Sequence, residues 1–244
     1  IVPGLHSLSP WYPRAWRIWT PDYFANTDLS YDDWFAPQRE YAARITQRYI
    51  RFNPYMQRRA ACALPNPQNS LGMHIRWGDK AVSRVILGIE LFAPYAEAFV
   101  ANGGDTIYLA TDSVTVIDKI WKQWPKQVTS RIFRQQDVEA LSSNDTASFD
   151  LGVSPHRGNV EALTDALALS KCTYLLHGFS ALSEAAFYLN PGLVERAVNL
   201  EYQGEDHGNN RRKEAAPTVE YFIDKILSRG RRVGGSSRDN NSGT

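Results

Sequence analysis

Four chemically active side chains, His74, Arg76, Asp79 and Lys80, follow one another in the stretch Leu71-Gly72-Met73-His74-Ile75-Arg76-Trp77-Gly78-Asp79-Lys80. The stretch opens as an apolar alternation, the pattern of a strand with one buried face. Gly78 then permits a turn. Residues two apart on a strand share a face, so His74 and Arg76 can reach one ligand together. At the carboxyl end of a strand in an open α/β sheet, that ligand is typically a nucleotide or another phosphate compound. The planar guanidinium suits a diphosphate because it offers two charge-assisted hydrogen bonds at once. A solvated charge cluster at a strand end uses the same residues and stands as the alternative.

The rest of the chain reads as the scaffold for that segment. Pro65-Asn66-Pro67 marks a boundary ahead of it. The pattern after it predicts a helix over 90–101, a strand over 106–111 ending at Asp112, and a helix capped by Ser113 and stopped by Pro125. A third strand is expected over 128–133, and a long polar stretch over 135–156 has the length of a lid or binding loop. A helix over 159–170, a buried strand over 174–177, a helix from Ser180 to Tyr188 and a strand over 194–199 follow. Residues 219–227 read as a last helix, and the Gly/Ser/Asn/Arg-rich tail from Gly230 has the composition of a disordered segment. Strands and helices alternating at these lengths predict an α/β fold with a Rossmann-like parallel sheet covered on both faces.

Ahead of the boundary, Trp11, Trp16, Trp19 and Trp34 are interspersed with prolines, so little regular structure is expected over residues 1 to 40. These aromatics suit a packing surface toward another domain, with a sugar-stacking platform as the functional alternative. From 38 to 62 the pattern turns helical, with Tyr41, Ile45, Tyr49 and Phe52 near helical spacing, the arginines as a solvated face and a break at Asn53-Pro54. The expected organisation is therefore 1–66 as an amino-terminal or interdomain remnant, 67–229 as the nucleotide-binding domain and 230–244 as the tail. Ile1 in place of an initiator Met reads as a piece or processed form of a longer protein.

The balance of 27 Lys and Arg against 26 Asp and Glu argues against a nucleic-acid or membrane-surface role. No run approaches the length of a membrane span. Cys62 and Cys172 fit neither a disulfide scaffold nor a zinc site and read as two isolated buried thiols, with a bond between them as the alternative. Asn144-Asp145-Thr146 and Asn240-Asn241-Ser242 match the glycosylation pattern. The histidines and cysteines show no ligand spacing, and no metal is expected.

Three predicted strand ends carry polar groups: His74 with Arg76, Asp112, and His177-Gly178-Phe179-Ser180. In a doubly wound sheet such ends converge on one crevice. Ser180 at a helix start could face a phosphate or serve as a plain cap. Asp165, on an otherwise apolar helix face, needs a partner, which a guanine edge would provide. The glycine patterns of dinucleotide and Walker sites are absent.

These residues resemble a known family. His74-Ile75-Arg76-Trp77-Gly78-Asp79-Lys80 matches the motif His-x-Arg-x-x-Asp-Lys of GDP-fucose-dependent fucosyltransferases, most closely the α1,6-fucosyltransferases that modify the N-glycan core. Tyr108-Leu109-Ala110-Thr111-Asp112 resembles the second motif, and Asp165 through Ser180 the third. The segment from Ala43-Arg44-Ile45 to Pro54 is also similar, so the likeness covers about residues 38 to 200. The resemblance implies the carboxyl-terminal, donor-binding half of a GT-B glycosyltransferase in the Golgi lumen. It implies GDP-fucose as donor, a glycan or glycoprotein as acceptor, inversion at the anomeric centre and no metal. Arg76 would hold the β-phosphate, His74 and Asp165 would read the guanine, Asp112 would line the nucleotide site, and Ser180 would lie near the phosphates. Lys80 would assist from the acceptor side, unless it only pairs with Asp79.

The sequence also departs from the family. Where the family carries an acceptor-activating Glu, four residues after the motif Lys, this chain has Arg84, and a guanidinium cannot act as a general base. Glu90 is the nearest downstream carboxylate and the replacement candidate. Its plainer role is a first-turn Glu facing the helix dipole. Ala181 follows Ser180 where the core-fucosylating enzymes have a second Ser. A non-catalytic nucleotide- or glycan-binding member of the fold, or a glycosyltransferase with another sugar donor, therefore stays open beside the fucosyltransferase.

Overall fold

The computed structural model describes residues 31–77, 86–142, 151–203 and 218–227. Asp79, Lys80, Arg84, both glycosylation triplets, the tail from Gly230 and the tryptophans at 11, 16 and 19 lie outside the described residues.

Five parallel strands form one sheet, in the order β3-β2-β1-β4-β5. They are β1 (Ser70–Ile75), β2 (Thr106–Thr111), β3 (Ile132–Phe133), β4 (Tyr174–His177) and β5 (Ala197–Asn199). The expectation of an α/β fold with a parallel sheet holds. The chain winds outward from β1 through β2 to β3, then returns to place β4 on the other side of β1. The reversal leaves a crevice between β1 and β4, where α/β sheets bind their ligands.

The alternation of side chains decides which helix covers which face. Leu71, Met73 and Ile75 of β1 join Ile107, Leu109, Tyr174, Leu176 and Val198 on one face. That face packs against α3 (Ile89–Ala101), α4 (Val114–Gln123), the short α5 (Lys126–Thr129) and the carboxyl-terminal segment. Tyr108, Ala110 and Leu175 point the other way, toward α2 (Pro54–Ala63), α6 (Pro155–Lys171) and α7 (Ala181–Leu189). Gly72 belongs to this second face, where a Cβ would lie 3.0 Å from Leu169 and 3.1 Å from Leu175. A bare glycine there lets α6 approach the central strand closely.

Local capping sets the helix starts. Ser113, Ser154 and Ser180 each accept a backbone N–H at the head of α4, α6 and α7, and Asn53 does so for α2. The carboxyl-terminal α8 (Val219–Tyr221) is capped by Thr218 and continues as a π-helix over Phe222–Leu227.

Five expectations are corrected. Helix α1 (Tyr31–Tyr49) begins before residue 38 and contains Pro37. The proline removes one helical hydrogen bond, but Phe35, 1% exposed, and Arg39 on either side anchor the helix. Its buried side is Phe35, Arg39, Ala42 and Ala43, whereas Tyr41, Ile45 and Tyr49 are exposed, so Arg39 is not part of a solvated face. The expected strand over 128–133 is mostly the helix α5 after Pro125, which leaves only Ile132–Phe133 to pair with β2. The expected strand over 194–199 starts as a 3-10 helix over Pro191–Arg196, and only β5 pairs with β4. Cys62 is exposed, on the side of α2 away from Met56, Ala60 and Ala63, while Cys172 is buried, and neither is in a disulfide.

Candidate functional site

The strand register brings the predicted strand ends side by side. Ile75 pairs with Thr111, so Arg76 and Asp112 emerge next to each other from β1 and β2. Met73 pairs with Leu176, so His74 and His177 follow each other across the β1–β4 crevice. Parallel strands present these ends on one edge because the family of strands all run the same way.

Asp112 fastens the exit of the central strand. Its Oδ1 accepts the Trp77 backbone N–H at 2.8 Å, and its Oδ2 lies 4.0 Å from the Arg76 Nε. The Arg76 side chain is 42% exposed and that of Asp112 21%, so solvent screens this pair and it contributes little to stability. The arginine is therefore a cation held at a strand end rather than a buried anchor. Lys119 lies with its Nζ 4.5 Å from the Trp77 ring centre, stacked over the same strand exit.

His74 is buried, and its Nδ1 lies 2.8 Å from the Ser183 Oγ in the first turn of α7. That contact fixes the ring plane. Ser180 caps the same helix, accepting the Leu182 N–H at 3.3 Å. The Gly178-Phe179-Ser180 loop is in turn held by Glu201, whose carboxylate accepts the Phe179 N–H at 2.6 Å. His177 closes the other side of the crevice, with its ring edge-on to Phe187 at 5.2 Å. The helix α7 is itself clamped from outside. Glu184 takes two hydrogen bonds from the Arg39 guanidinium of α1, at 2.9 and 2.7 Å.

Asp165 is placed on the same side of the sheet, on α6 beside β2. Its Oδ1 accepts from the Tyr108 hydroxyl and from the Gln135 Nε2, both at 2.5 Å. The partner that the sequence left open is thus partly supplied by the protein. Burial pushes the carboxyl up to about 6, against the opposing effect of the two hydrogen bonds and of Arg59. The surrounding protein desolvates the group although the residue keeps a partial opening to solvent.

The structure thus joins Arg76 to Asp112 and ties His74 to the helix that Ser180 caps. It sets Asp165 behind them on the same face. Glu90 stands exposed in the first turn of α3, in the position of a dipole-facing carboxylate. Lys80 lies outside the described residues. A shallow groove lined by Asn69, Phe99, Gly103, Thr173 and Tyr174 sits at the opposite, amino-terminal edge of the sheet.

Sequence reasoning passed over Tyr108, Gln135, Ser183 and Glu201. Tyr108 lies inside the second motif, where its sequence context is that of an ordinary core strand residue. Gln135 lay in a stretch without periodicity, and Ser183 was one more polar residue of a short helix.

No group of three or more His, Cys, Asp or Glu side chains able to share a metal occurs among the described residues. No described helix is long and apolar enough to cross a membrane.

No family model matches the chain, and no curated protein matches its sequence. Among solved structures the chain is similar to the fucosyltransferase NodZ from Bradyrhizobium, at 19% identity and a TM-score of 0.39, covering 66% of this chain and 49% of that one. It is also similar to NodZ alpha-1,6-fucosyltransferase soaked with GDP-fucose, at 16% identity and a TM-score of 0.41, covering 82% of this chain and 70% of that one. The same enzyme co-crystallised with GDP gives 16% identity and a TM-score of 0.38 over 77% of this chain and 67% of that one. The chain spans about half the length of the first of these structures. The fold described above rests on the strands and their order alone.

Proposed function

We propose that this chain is the donor-binding, carboxyl-terminal half of a GT-B fucosyltransferase of the α1,6 type, acting in the Golgi lumen. It takes fucose from GDP-fucose and passes it to a glycan or glycoprotein acceptor with inversion and without a metal. The observation that carries the reading is Arg76, a half-exposed guanidinium at the exit of the central strand beside the switch point of the sheet. It stands within the first of the three motifs that resemble the family.

The chemistry fits that position. Fucose leaves GDP through an oxocarbenium-like state, so negative charge grows on the departing diphosphate. A fixed cation facing that charge stabilises the transition state more than the ground state. His74 and Asp165 serve the base, Asp112 lines the nucleotide site, and Ser180 stands near the phosphates. Lys80 assists from the acceptor side, and Glu90 is the candidate for the missing base.

Arg84 favours a second reading, a binding module that keeps the nucleotide pocket and has lost the general base. Calorimetric titration with GDP, GDP-fucose and UDP, followed by donor-hydrolysis and transfer assays with and without chelator, separates the two. Selective GDP binding with turnover supports the transferase, and selective binding without hydrolysis or transfer supports the module. Absence of any preference for GDP over UDP refutes both.

A further inference from the structure

Asp165 is held in a way that its own helix does not explain. Both of its protein hydrogen bonds fall on Oδ1, and Oδ2 takes none among the described residues. The residue as a whole keeps a partial opening to solvent. One oxygen is fixed by two protein donors, and the other takes no hydrogen bond from the described residues.

The two donors are themselves fixed in direction. Gln135 is buried, and its Oε1 accepts from the Arg59 Nη2 at 3.2 Å. Its Nε2 donates to the Glu161 carbonyl at 2.8 Å as well as to Asp165. A guanidinium only donates and a carbonyl only accepts, so this amide has one orientation that satisfies its neighbours. Tyr108 lies in the middle of β2, fully buried, and an ionised carboxylate beside it leaves its hydroxyl only the donor role. The segment over 134–142 that carries Gln135, a strap along α6, is also pinned. Glu161 accepts the backbone N–H groups of Glu139 and Ala140, each at 3.0 Å, and pairs with Arg157 at 2.6 Å. Ser142 at the end of the strap accepts the Val114 N–H and donates to the Asp112 carbonyl.

We propose that Tyr108 and Gln135 are positioning residues for base selection, holding Asp165 as an oriented carboxylate whose Oδ2 accepts the paired N–H donors of a guanine edge. The proposal rests on the nucleotide-binding reading above and assigns roles that the reading did not contain. An adenine or uracil edge lacks two adjacent donors, so only a guanine nucleotide draws on the ionised form fully.

The groups facing this carboxylate come from every element around it. Tyr108 faces it from β2, Gln135 from the strap and Arg59 from α2, while Glu161 lies one turn earlier on α6 with Arg157 beside it. Glu161 opposes ionisation of Asp165, and Arg59, Tyr108 and Gln135 favour it. Removing either donor therefore makes the carboxyl easier to protonate.

The test is GDP and ADP binding to the full chain across the range pH 5 to 8 for wild type, Tyr108→Phe and Gln135→Met. Both substitutions keep side-chain volume, and native folding is checked by circular dichroism. Wild-type GDP affinity should fall as pH drops through about 6. In each variant the same limb should move to higher pH, by about a unit or more, which is roughly tenfold in affinity at a pH on the limb. A loss of affinity equal at every pH would mean a merely structural role and would overturn the proposal, as would unaltered binding. Wild type that binds GDP no better than ADP removes the underlying reading, and the proposal with it. A ¹³C titration of the Asp165 carboxyl in the free protein gives a readout independent of ligand, and an unmoved titration in both variants refutes the positioning role.

Discussion

The clamp between Arg39 and Glu184 makes the sharpest stability prediction, because its environment decides which of two very different magnitudes applies. An exposed ion pair contributes under about 1 kcal/mol, whereas breaking a buried pair at one end costs about 3–5 kcal/mol. The Arg39 and Glu184 side chains are 7% and 4% exposed, and the pair is bidentate, so the buried figure governs. The Arg39 guanidinium also sits 4.8 Å from the Phe187 ring centre and 5.6 Å from that of Phe35. Those rings give the cation a residual attraction of about 0.5–2 kcal/mol once its carboxylate is gone.

Glu184→Gln, which keeps the shape and removes the charge, should therefore destabilise the fold by about 2–4 kcal/mol. Arg39→Met leaves a buried carboxylate with no such compensation and should cost more, at the upper end of about 3–5 kcal/mol. The double variant Arg39→Met/Glu184→Gln should cost less than the sum of the two, because neither charge is left alone. Urea unfolding of all four proteins at constant pH and salt measures the cycle. Single variants costing under about 1 kcal/mol, or costs that simply add, would refute the buried clamp. They would also show that this pair does not hold α1 to α7, the helix that carries Ser180 and Ser183.

Three further outcomes are expected. Asp165 has its pKa raised from 3.8 to about 6 in the folded state, so the native protein binds the extra proton between those values and loses stability as pH rises through them. Asp165→Asn should remove that slope and be the more stable protein above pH 6 while losing GDP selectivity. A wild type that gains stability relative to this variant across the window contradicts the assignment. Gly72→Ala places a methyl 3.0 Å from Leu169 and 3.1 Å from Leu175 and should cost about 1–3 kcal/mol by overpacking, read from the urea midpoint. A neutral result would show that α6 yields easily. Arg76→Ala should leave the urea midpoint nearly unchanged and lower transfer about a hundredfold or more, with Arg76→Lys recovering little. Near-normal GDP-fucose binding and transfer by folded Arg76→Ala would end its role at the donor site.

Much of the frame was legible locally. The alternation in 70–75 and 106–111, the apolar run at 174–177 and the serines at 113 and 180 each carry their own instruction, a two-residue period or a side-chain cap. Strands and helices in alternation then required a parallel sheet, and His74 with Arg76 had to share a face of its central strand. What the sequence could not decide were matters settled by residues far apart. The stretch over 128–133 has strand-forming side chains, yet Pro125 starts a helix and places Val128 in the core, leaving two residues to the edge. The arginines of α1 look alike in the sequence, and only the docking of α7, with Glu184 145 positions away, buries Arg39 among them. Asp165 was read as a carboxylate in search of a partner, while Tyr108 and Gln135, 57 and 30 positions away, occupy one of its oxygens. Capping and periodicity act over a few residues and are written into them. Burial and the pairing of charges depend on which surfaces meet, and that was decided only when the chain folded.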